Sequence, residues 1–422
     1  MKLFVLGLIG LLVFTACSQK SEESVALDPL HGMWEGIIEF PESLVPIQLE
    51  FKGEEGFFSV PIQNVFDLPF ESIVLKENAT FTFQIPFNQK KVTFDGVIQE
   101  DRIVGLFKED GAEREFYLTK VTPDEGEQVT VEVTDGTLNA LLSAPAQVEQ
   151  KIPVAIFVPD AGPVDKNGNS SLIAGKAESM RYLSNLMNLE GIATLRYDKR
   201  GIGDNRKLES TGKQMTVDQY AADVEQLIRQ MRADDRFGDI ILVGHGEGSL
   251  IASMVLKENK VEHFISLAGY GFPFGEKLMD QIKSQLTPEQ VIQAETIIAQ
   301  WIADEEAGDI PEALAQLFNE ESKPFLQSLF KQQPVELLKD YEGSITVIAG
   351  ERDLQISPKE SARLKTVGEQ VVFYEIPLMN HVLKQAPEDA ADEDGNLITY
   401  TQPDVLLSEA FEEVMVEVLQ QY

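Results

Sequence analysis

The residues of greatest chemical interest lie in one glycine-rich turn, Val243-Gly244-His245-Gly246-Glu247-Gly248-Ser249. The apolar residues 240–243 predict a strand before the turn, and residues 249–256 predict a helix after it. A turn of this kind with the pattern G-x-S-x-G presents a serine hydroxyl as a nucleophile. Position 246 is glycine here, so the chain has the pattern that such chemistry requires without the side chain that performs it.

The same glycines raise the alternative of a phosphate-binding loop. A dinucleotide-binding loop has the spacing G-x-G-x-x-G and an acidic residue at the end of the following strand. In this chain the glycines are spaced two and two, and the next predicted strand, residues 264–267, ends in Ala268-Gly269. The spacing therefore disfavours nucleotide binding.

An aspartate and a histidine follow two later predicted strands. The apolar run 345–350 is followed by Asp353, and the run 371–376 is followed by His381. Parallel α/β sheets place their active groups at the carboxyl ends of strands. The order turn, aspartate, histidine is also the chain order of one class of Ser-Asp-His triad. We therefore predict that Asp353 and His381 meet beside the turn.

From about residue 129 to its end, the chain resembles the bacterial carboxylesterase-like α/β hydrolases, a branch near the prolyl-aminopeptidase-type serine peptidases. The matching segments are GPVDKNGN at 162–169, LRYDKRGIG at 195–203, the turn at 243–249 and MNHVLK at 379–384. The resemblance implies an α/β-hydrolase fold with a mostly parallel sheet and a helical lid. It also implies a pocket for an acyl, ester or peptide-like molecule.

Two segments depart from the family pattern. The family usually has G-H-S-E-G at the turn, so Gly246 leaves the nucleophile position vacant. After the first long strand, residues 154–158, the family usually has Gly-Ser-Gly-Pro, where this chain has Asp160-Ala161-Gly162-Pro163. In the family this loop donates a backbone N–H to the oxyanion hole, which contributes about a hundredfold or more to rate.

The resemblance assigns roles to six positions. The catalytic positions are Asp353, His381 and the vacant Gly246. The oxyanion or ligand-binding positions are Asp160, Ala161 and Glu247.

Three functions are consistent with a turn that lacks its hydroxyl. The first is a pseudo-hydrolase that binds an acyl, ester or peptide-like ligand without serine turnover. The second is an active hydrolase in which Asp353 orients His381 as a general base on water. The third is a scaffold for other envelope proteins. Ser249 lies one helical turn below position 246 and is interpreted as a packing residue rather than a substitute nucleophile.

The sequence predicts no metal site and no cofactor. Its four histidines, at positions 31, 245, 263 and 381, show no pairwise metal-ligand spacing, and there is one cysteine. Asp165, Asn167 and Asn169 have the spacing of a calcium loop, but the turn glycine and the bidentate acid of such a loop are missing.

Residues 1–17 predict a lipoprotein signal peptide that ends in a lipid-attachment site. Residues 3–14 form an apolar run that is too short to span a bilayer and is typical of a secretory signal. Thr15-Ala16-Cys17 then resembles a lipoprotein box, and the polar residues 18–28 predict a tether. We therefore predict lipidation at Cys17 and a lipid anchor in the cell envelope, in the outer membrane of a Gram-negative bacterium.

Length and charge constrain the partners and the number of domains. The chain has 422 residues, which is enough for two or three domains. Its formal net charge is −35. Such a charge excludes nucleic acid as a partner, because the phosphates would be repelled.

Residues 29–121 predict an antiparallel β domain. Short runs at 34–40, 47–52, 80–85, 92–98, 102–107 and 115–119 often alternate apolar and polar residues, which favours a barrel or sandwich. The segment Gly32-Met33-Trp34-Glu35-Gly36 resembles the start of a small lipocalin-like module found before some of these hydrolases. Residues 122–126 are the predicted linker.

Residues 122–422 alternate predicted strands and helices, which indicates a mostly parallel sheet. Helices are predicted at 174–188, 217–233, 249–257 and 404–419. About seventy-five residues separate the strands at 264 and 345, which is too many for a simple crossover. Helical periodicity at 277–286, 288–303, 311–317 and 324–331 predicts a lid over about 272–336.

Overall fold

The computed structural model describes residues 27–41, 43–63, 65–76, 79–87, 90–100, 102–121, 124–145, 150–208, 215–389 and 392–422. Cys17 and most of the predicted tether lie outside the described residues. The chain divides into two compact units, with the boundary after Val121. Within the described ranges, no helix combines the length and the apolar character needed to cross a membrane.

The described part of the N-terminal unit contains a sheet of nine antiparallel strands. They are β1 (Gly32–Phe40), β2 (Ser43–Lys52), β3 (Glu55–Val60), β4 (Val65–Pro69), β5 (Ser72–Leu75), β6 (Thr80–Phe87), β7 (Lys90–Gln99), β8 (Arg102–Glu109) and β9 (Ala112–Lys120). Six of these strands contain the six predicted runs. The strands β3, β4 and β5 are not predicted, because they are short and lack a clear alternation of apolar and polar residues.

The sheet of the N-terminal unit curls until its two edges meet. The strand order is β4-β3-β2-β1-β9-β8-β7-β6-β5, so β4 and β5 lie at opposite edges although two residues join them. The N–H of Phe70 donates to Gly56 O of β3, and the N–H of Glu71 donates to Gln84 O of β6. The curled antiparallel sheet is thus compatible with the predicted β domain.

Aromatic side chains fill the inner face of this sheet. Phe83 stacks on Phe94 with ring centroids 4.6 Å apart, and Phe94 contacts Phe116 edge-on at 5.1 Å. All three side chains are buried. Rings in such arrangements contribute stabilisation beyond the area that they bury, so this aromatic cluster is the core of the N-terminal unit.

The C-terminal unit is built on an eight-stranded mixed sheet. The strands are β10 (Glu127–Val133), β11 (Gly136–Ser143), β12 (Ile152–Val158), β13 (Ala193–Tyr197), β14 (Phe237–His245), β15 (His263–Leu267), β16 (Ser344–Gly350) and β17 (Val371–Ile376). Their order is β10-β11-β13-β12-β14-β15-β16-β17. The pairs β10–β11 and β11–β13 are antiparallel, and the remaining pairs are parallel. This is the α/β-hydrolase fold that the resemblance implies.

Eleven helices of the described chain belong to this unit. They are α1 (Ser179–Leu189), α2 (Val217–Ala233), α3 (Glu247–Asn259), α4 (Phe274–Ile282), α5 (Pro288–Ile302), α6 (Glu312–Ala315), α7 (Lys323–Phe330), α8 (Pro334–Leu338), α9 (Pro358–Ala362), α10 (Glu393–Ile398) and α11 (Glu409–Leu419). Helix α1 begins five residues later than predicted, because Gly175 and Glu178 have positive φ angles of 115° and 58°.

The helices α4 to α8 form the insert between β15 and β16 that the sequence predicts. The apolar faces of α4 to α7 pack on one another in a cluster that includes Trp301, Phe318 and Phe330, whereas Leu338 of α8 packs in the main core of the unit. Lys277 of α4 donates from Nζ to the carbonyl oxygen of Gln355, at 2.6 Å. The insert therefore has a small apolar core of its own, and a hydrogen bond from Lys277 attaches it to the loop after β16.

Candidate active site

Four strands place the predicted site residues together at the carboxyl ends of the strands of the C-terminal sheet. Asp160 follows β12, Gly246 follows β14, Asp353 follows β16 and His381 follows β17. These strands belong to one continuous parallel array. Because the carboxyl ends of parallel strands share one edge, the fold brings together residues that are more than two hundred positions apart.

The turn at Gly246 has a backbone conformation that side chains rarely adopt. Its φ and ψ are 52° and −116°. Such a conformation costs about 1–3 kcal/mol for a residue with a side chain. Helix α3 also packs closely against β12, since a Cβ on Gly248 would lie 2.1 Å from the carbonyl oxygen of Val158. The turn thus has the strained strand-to-helix geometry of a nucleophile elbow.

Asp353 and His381 are in direct contact, as the chain order predicts. His381 Nδ1 lies 2.9 Å from Asp353 Oδ2. The other oxygen, Oδ1, accepts hydrogen bonds from the backbone N–H groups of Gln355 at 2.7 Å and Ile356 at 2.8 Å. Both side chains are buried, so the imidazole is held in one orientation with Nε2 pointing towards the turn.

The carboxylate of Asp160 occupies the space beside Gly246. A Cβ on Gly246 would lie 1.8 Å from Asp160 Oδ1. That oxygen accepts the backbone N–H of Glu247 at 2.9 Å, and Asp160 Oδ2 lies 2.8 Å from His381 Nε2. The sequence predicts only that Asp160 alters the oxyanion loop. In the structure its side chain enters the turn and bonds both to the histidine and to the first N–H of α3.

Charge pairing dominates the ionisation of this cluster. Burial lowers the pKa of His381, but the carboxylates of Asp353 and Asp160 outweigh it and raise the pKa to about 10. Burial raises the pKa of Asp160, but interaction with His381 outweighs it and holds the pKa well below its usual range. Burial and the charge of His381 both lower the pKa of His245. The cluster therefore contains an imidazolium between two carboxylates.

A second buried ion pair fixes the backbone of Asp160. Lys199 Nζ donates to the carbonyl oxygen of Asp160 at 2.8 Å and to Glu247 Oε1 at 3.1 Å. The side chains of Lys199 and Glu247 are only 3% and 4% exposed. The ammonium group also lies 4.5 Å from the ring centroid of Tyr220. Sequence reasoning missed Lys199, although it lies in the segment 195–203 that resembles the family.

His245 joins the same cluster from the last position of β14. Its Nε2 lies 2.8 Å from the carbonyl oxygen of His381, and the centroids of the two rings are 4.6 Å apart. One potential ligand atom from each of Asp160, His245 and His381 lies within 4.8 Å of the other two. Chain spacing does not reveal this proximity, because the fold brings the three residues together from separate segments of the chain.

The loop that follows Asp160 is held by hydrogen bonds within itself. Asp165 Oδ1 accepts the backbone N–H groups of Asn167 at 2.8 Å and Asn169 at 2.9 Å. The calcium-like spacing of these residues therefore reflects a loop whose aspartate bonds to its own backbone. Ser249, in turn, bonds through Oγ to Ser266 Oγ at 2.6 Å inside the core, which agrees with a packing role.

A small cavity of about 140 Å³ lies against the cluster. Its lining includes Asp160, Ala161, His245 and His381, and Tyr400 closes another side. None of residues 272–336, all of which the structure describes, lines it. The helical insert is therefore not the wall of this cavity, whereas the loop 160–177 and the segment around Tyr400 are.

Comparison with known families agrees with this geometry. Residues 172–306 match the family model described as serine aminopeptidase, S33. The matched segment contains the turn at Gly246 and ends before Asp353 and His381. Together with the strand order, the match supports an α/β-hydrolase domain.

Solved structures with a similar fold include esterases at low sequence identity. Est1E from Butyrivibrio proteoclasticus is 16% identical, covers 70% of this chain and 100% of its own, and gives a TM-score of 0.43. A thermophilic esterase from Thermogutta terrifontis is 14% identical, with coverages of 70% and 99% and a TM-score of 0.43. An alpha-beta serine hydrolase homologue from Coxiella burnetii is 16% identical, with coverages of 71% and 100% and a TM-score of 0.41. A search of curated protein sequences found no match.

Proposed function

We propose that the C-terminal unit is a pseudo-hydrolase, which binds a small acyl, ester or peptide-like ligand beside Asp160 and His381 without serine-based turnover. In this proposal glycine stands at position 246 where the family has its nucleophilic serine. The carboxylate of Asp160 occupies the space of the serine side chain and bonds to the Glu247 N–H and to His381 Nε2.

The observation that carries the proposal is the position of Asp160 Oδ1, 1.8 Å from where a Cβ on Gly246 would stand. A serine side chain and this carboxylate exclude each other. The carboxylate also accepts the Glu247 N–H, which an acyl-transfer enzyme needs for the developing oxyanion. Two parts of serine chemistry, the nucleophile and one oxyanion donor, are thereby removed together.

The same contact weighs against hydrolysis by a His381–Asp353 dyad acting on water. A general base needs a free lone pair within hydrogen-bond reach of the water. His381 Nε2 is instead directed at Asp160 Oδ2, at 2.8 Å. The arrangement therefore supports binding over water activation.

The size and the lining of the cavity support a small ligand with an apolar part. At about 140 Å³, the cavity is smaller than the roughly 300–1,000 Å³ of typical drug-sized pockets. Its lining includes the apolar side chains of Val164, Ile173 and Val382 beside the polar groups of the cluster.

We expect short-chain methyl esters to bind the wild-type protein without being hydrolysed. Thermal unfolding with methyl acetate, butyrate and hexanoate would measure binding, since ligand at a hundredfold excess over Kd stabilises the folded state by about 2.7 kcal/mol. Gas chromatography of the same samples would measure hydrolysis. The control is Ala161→Leu, which fills the cavity mouth and should abolish the stabilisation. Ester hydrolysis by the wild type, or equal stabilisation of the control, would contradict the proposal.

We also propose that Cys17 carries a lipid anchor that holds the protein in the cell envelope. We expect Cys17→Ser to move the full-length protein from the membrane fraction to the soluble fraction after cell lysis. Two acyl chains or an acyl chain with a second signal are needed for stable anchoring, so removal of the attachment site should release nearly all of the protein. Ser18→Ala is the matched control and should stay in the membrane fraction. Membrane association of Cys17→Ser equal to that of the control would rule out the anchor.

A further inference from the structure

We propose that Asp160, His245 and His381 form a site for a divalent transition metal of the zinc class, with one coordination position open towards the cavity. This inference does not depend on the ligand proposed above. It concerns the ability of the three side chains to bind a metal ion.

In each imidazole one nitrogen bonds to a group outside the cluster or to the backbone, and the other nitrogen is the candidate metal ligand. His381 Nδ1 bonds to Asp353 Oδ2 at 2.9 Å, so the candidate ligand is Nε2, which faces Asp160 Oδ2 at 2.8 Å. His245 Nε2 bonds to the carbonyl oxygen of His381 at 2.8 Å, which leaves Nδ1. Metal-binding histidines usually donate their other N–H to a carboxylate or a backbone carbonyl, which fixes the tautomer and the ring. Both histidines already have such a partner.

The separations within the cluster are close to those of a metal site. One ligand atom from each of the three residues lies within 4.8 Å of the others. Zinc bonds to nitrogen and oxygen of roughly 2.0–2.2 Å place two tetrahedral ligands about 3.3 Å apart. His381 Nε2 and Asp160 Oδ2 are 2.8 Å apart. A metal that replaces the shared proton would therefore increase this distance by about half an ångström.

The remaining contacts of Asp160 suit a monodentate ligand. Its Oδ1 keeps the hydrogen bond from the Glu247 N–H at 2.9 Å, and its backbone carbonyl keeps the bond from Lys199 at 2.8 Å. These bonds hold the carboxylate while Oδ2 faces the histidines. Gly246 is what makes room, because any side chain there would displace Oδ1.

The donor set and the adjacent space indicate a zinc-type site with an exchangeable ligand. Two imidazoles and one carboxylate suit zinc and neighbouring transition metals better than calcium or magnesium. Three protein ligands are typical of sites that keep a fourth position for water or substrate. All three residues line the cavity of about 140 Å³, which provides that position with room for a water or for a ligand oxygen.

The test is metal binding by the full-length protein after removal of metals with a chelator. Isothermal titration with Zn²⁺ should give one tight site per chain. Titration with Co²⁺ should give the intense visible absorption of a four- or five-coordinate ion. Asp160→Asn, His245→Gln and His381→Gln should each weaken binding by at least about a hundredfold, and Asp353→Asn by roughly ten- to a hundredfold through the orientation of His381.

His263→Gln is the matched control, because His263 bonds to Ser344 away from the cluster, and it should bind metal as the wild type does. Circular dichroism of each variant would show that it is folded. A folded wild type without a stoichiometric site, or folded cluster variants that bind like the control, would overturn the proposal. If the folded cluster variants bind metal like the control, the metal binds to surface carboxylates of this acidic chain instead. Ester binding measured in chelator tests the proposed ligand function separately.

Discussion

The double variant Asp160→Gly/Gly246→Ser is expected to react stoichiometrically with a fluorophosphonate probe, which should leave the wild type unlabelled. The substitution at 246 supplies a hydroxyl on a turn whose φ and ψ are 52° and −116°. The substitution at 160 removes the carboxylate that fills this space and frees both the Glu247 N–H and His381 Nε2. His381 keeps its bond to Asp353, so a hydroxyl, a base and an orienting carboxylate are then in place.

The single variants separate the two causes. Asp160→Gly has no hydroxyl and should not react. Gly246→Ser has the hydroxyl but should react weakly or not at all, because its Cβ overlaps Asp160 Oδ1. It should also lose about 3–5 kcal/mol of stability, from the strain of the turn and the displacement of a partly buried carboxylate that is paired with His381. In the double variant part of that loss should be regained, as expected for side chains in direct contact.

Labelling and p-nitrophenyl acetate hydrolysis measure the outcome. We expect the double variant to exceed the wild type by about a thousandfold or more in hydrolysis, the order of what a nucleophile and its base contribute together. Mass spectrometry should place the probe at position 246. Equal labelling of Gly246→Ser and the double variant would show that Asp160 does not obstruct the turn. Labelling of the wild type at any serine would show that another hydroxyl has taken the role.

Lys199→Met is expected to lower the free energy of unfolding by about 3–5 kcal/mol. The variant removes one partner of an ion pair whose side chains are 3% and 4% exposed, and leaves Glu247 as a buried, unpaired carboxylate. It also removes the donor to the carbonyl oxygen of Asp160. Lys199→Met/Glu247→Gln should recover much of the loss, because no unpaired charge remains.

Urea denaturation of these variants provides the measurement. Lys257→Met is the matched control, since its partner Asp340 is 73% exposed and the pair contributes at most about 1 kcal/mol. A loss for Lys199→Met no larger than that of the control would show that the buried pair does not hold the site. Failure of Glu247→Gln to restore stability would instead assign the loss to the bond with Asp160.

The sequence by itself determined the fold of the C-terminal unit and the end of the sheet, the carboxyl ends of its strands, at which the site residues lie. The apolar run 345–350 predicts a buried strand, since burial on both faces of a parallel sheet requires continuous apolar residues. The run 371–376 predicts a second strand, which in the structure is a partly buried edge strand. The order of strands along the chain then places Asp353 and His381 together. The glycine at position 246, where the resembled family usually has serine, is likewise visible from residue type alone, and so are six of the nine described strands of the N-terminal unit.

Only the tertiary structure decided which groups lie beside Gly246. Asp160 and His381 are 221 positions apart, and Lys199 and Glu247 are 48 positions apart. Contacts at such separations depend on strand order, turn geometry and side-chain rotamers, and none of these is encoded by periodicity within a segment. The carboxylate enters the turn because a glycine leaves space there and because a backbone N–H and an imidazole are both aimed into that space. The same convergence places His245 beside them, where chain spacing predicts no cluster.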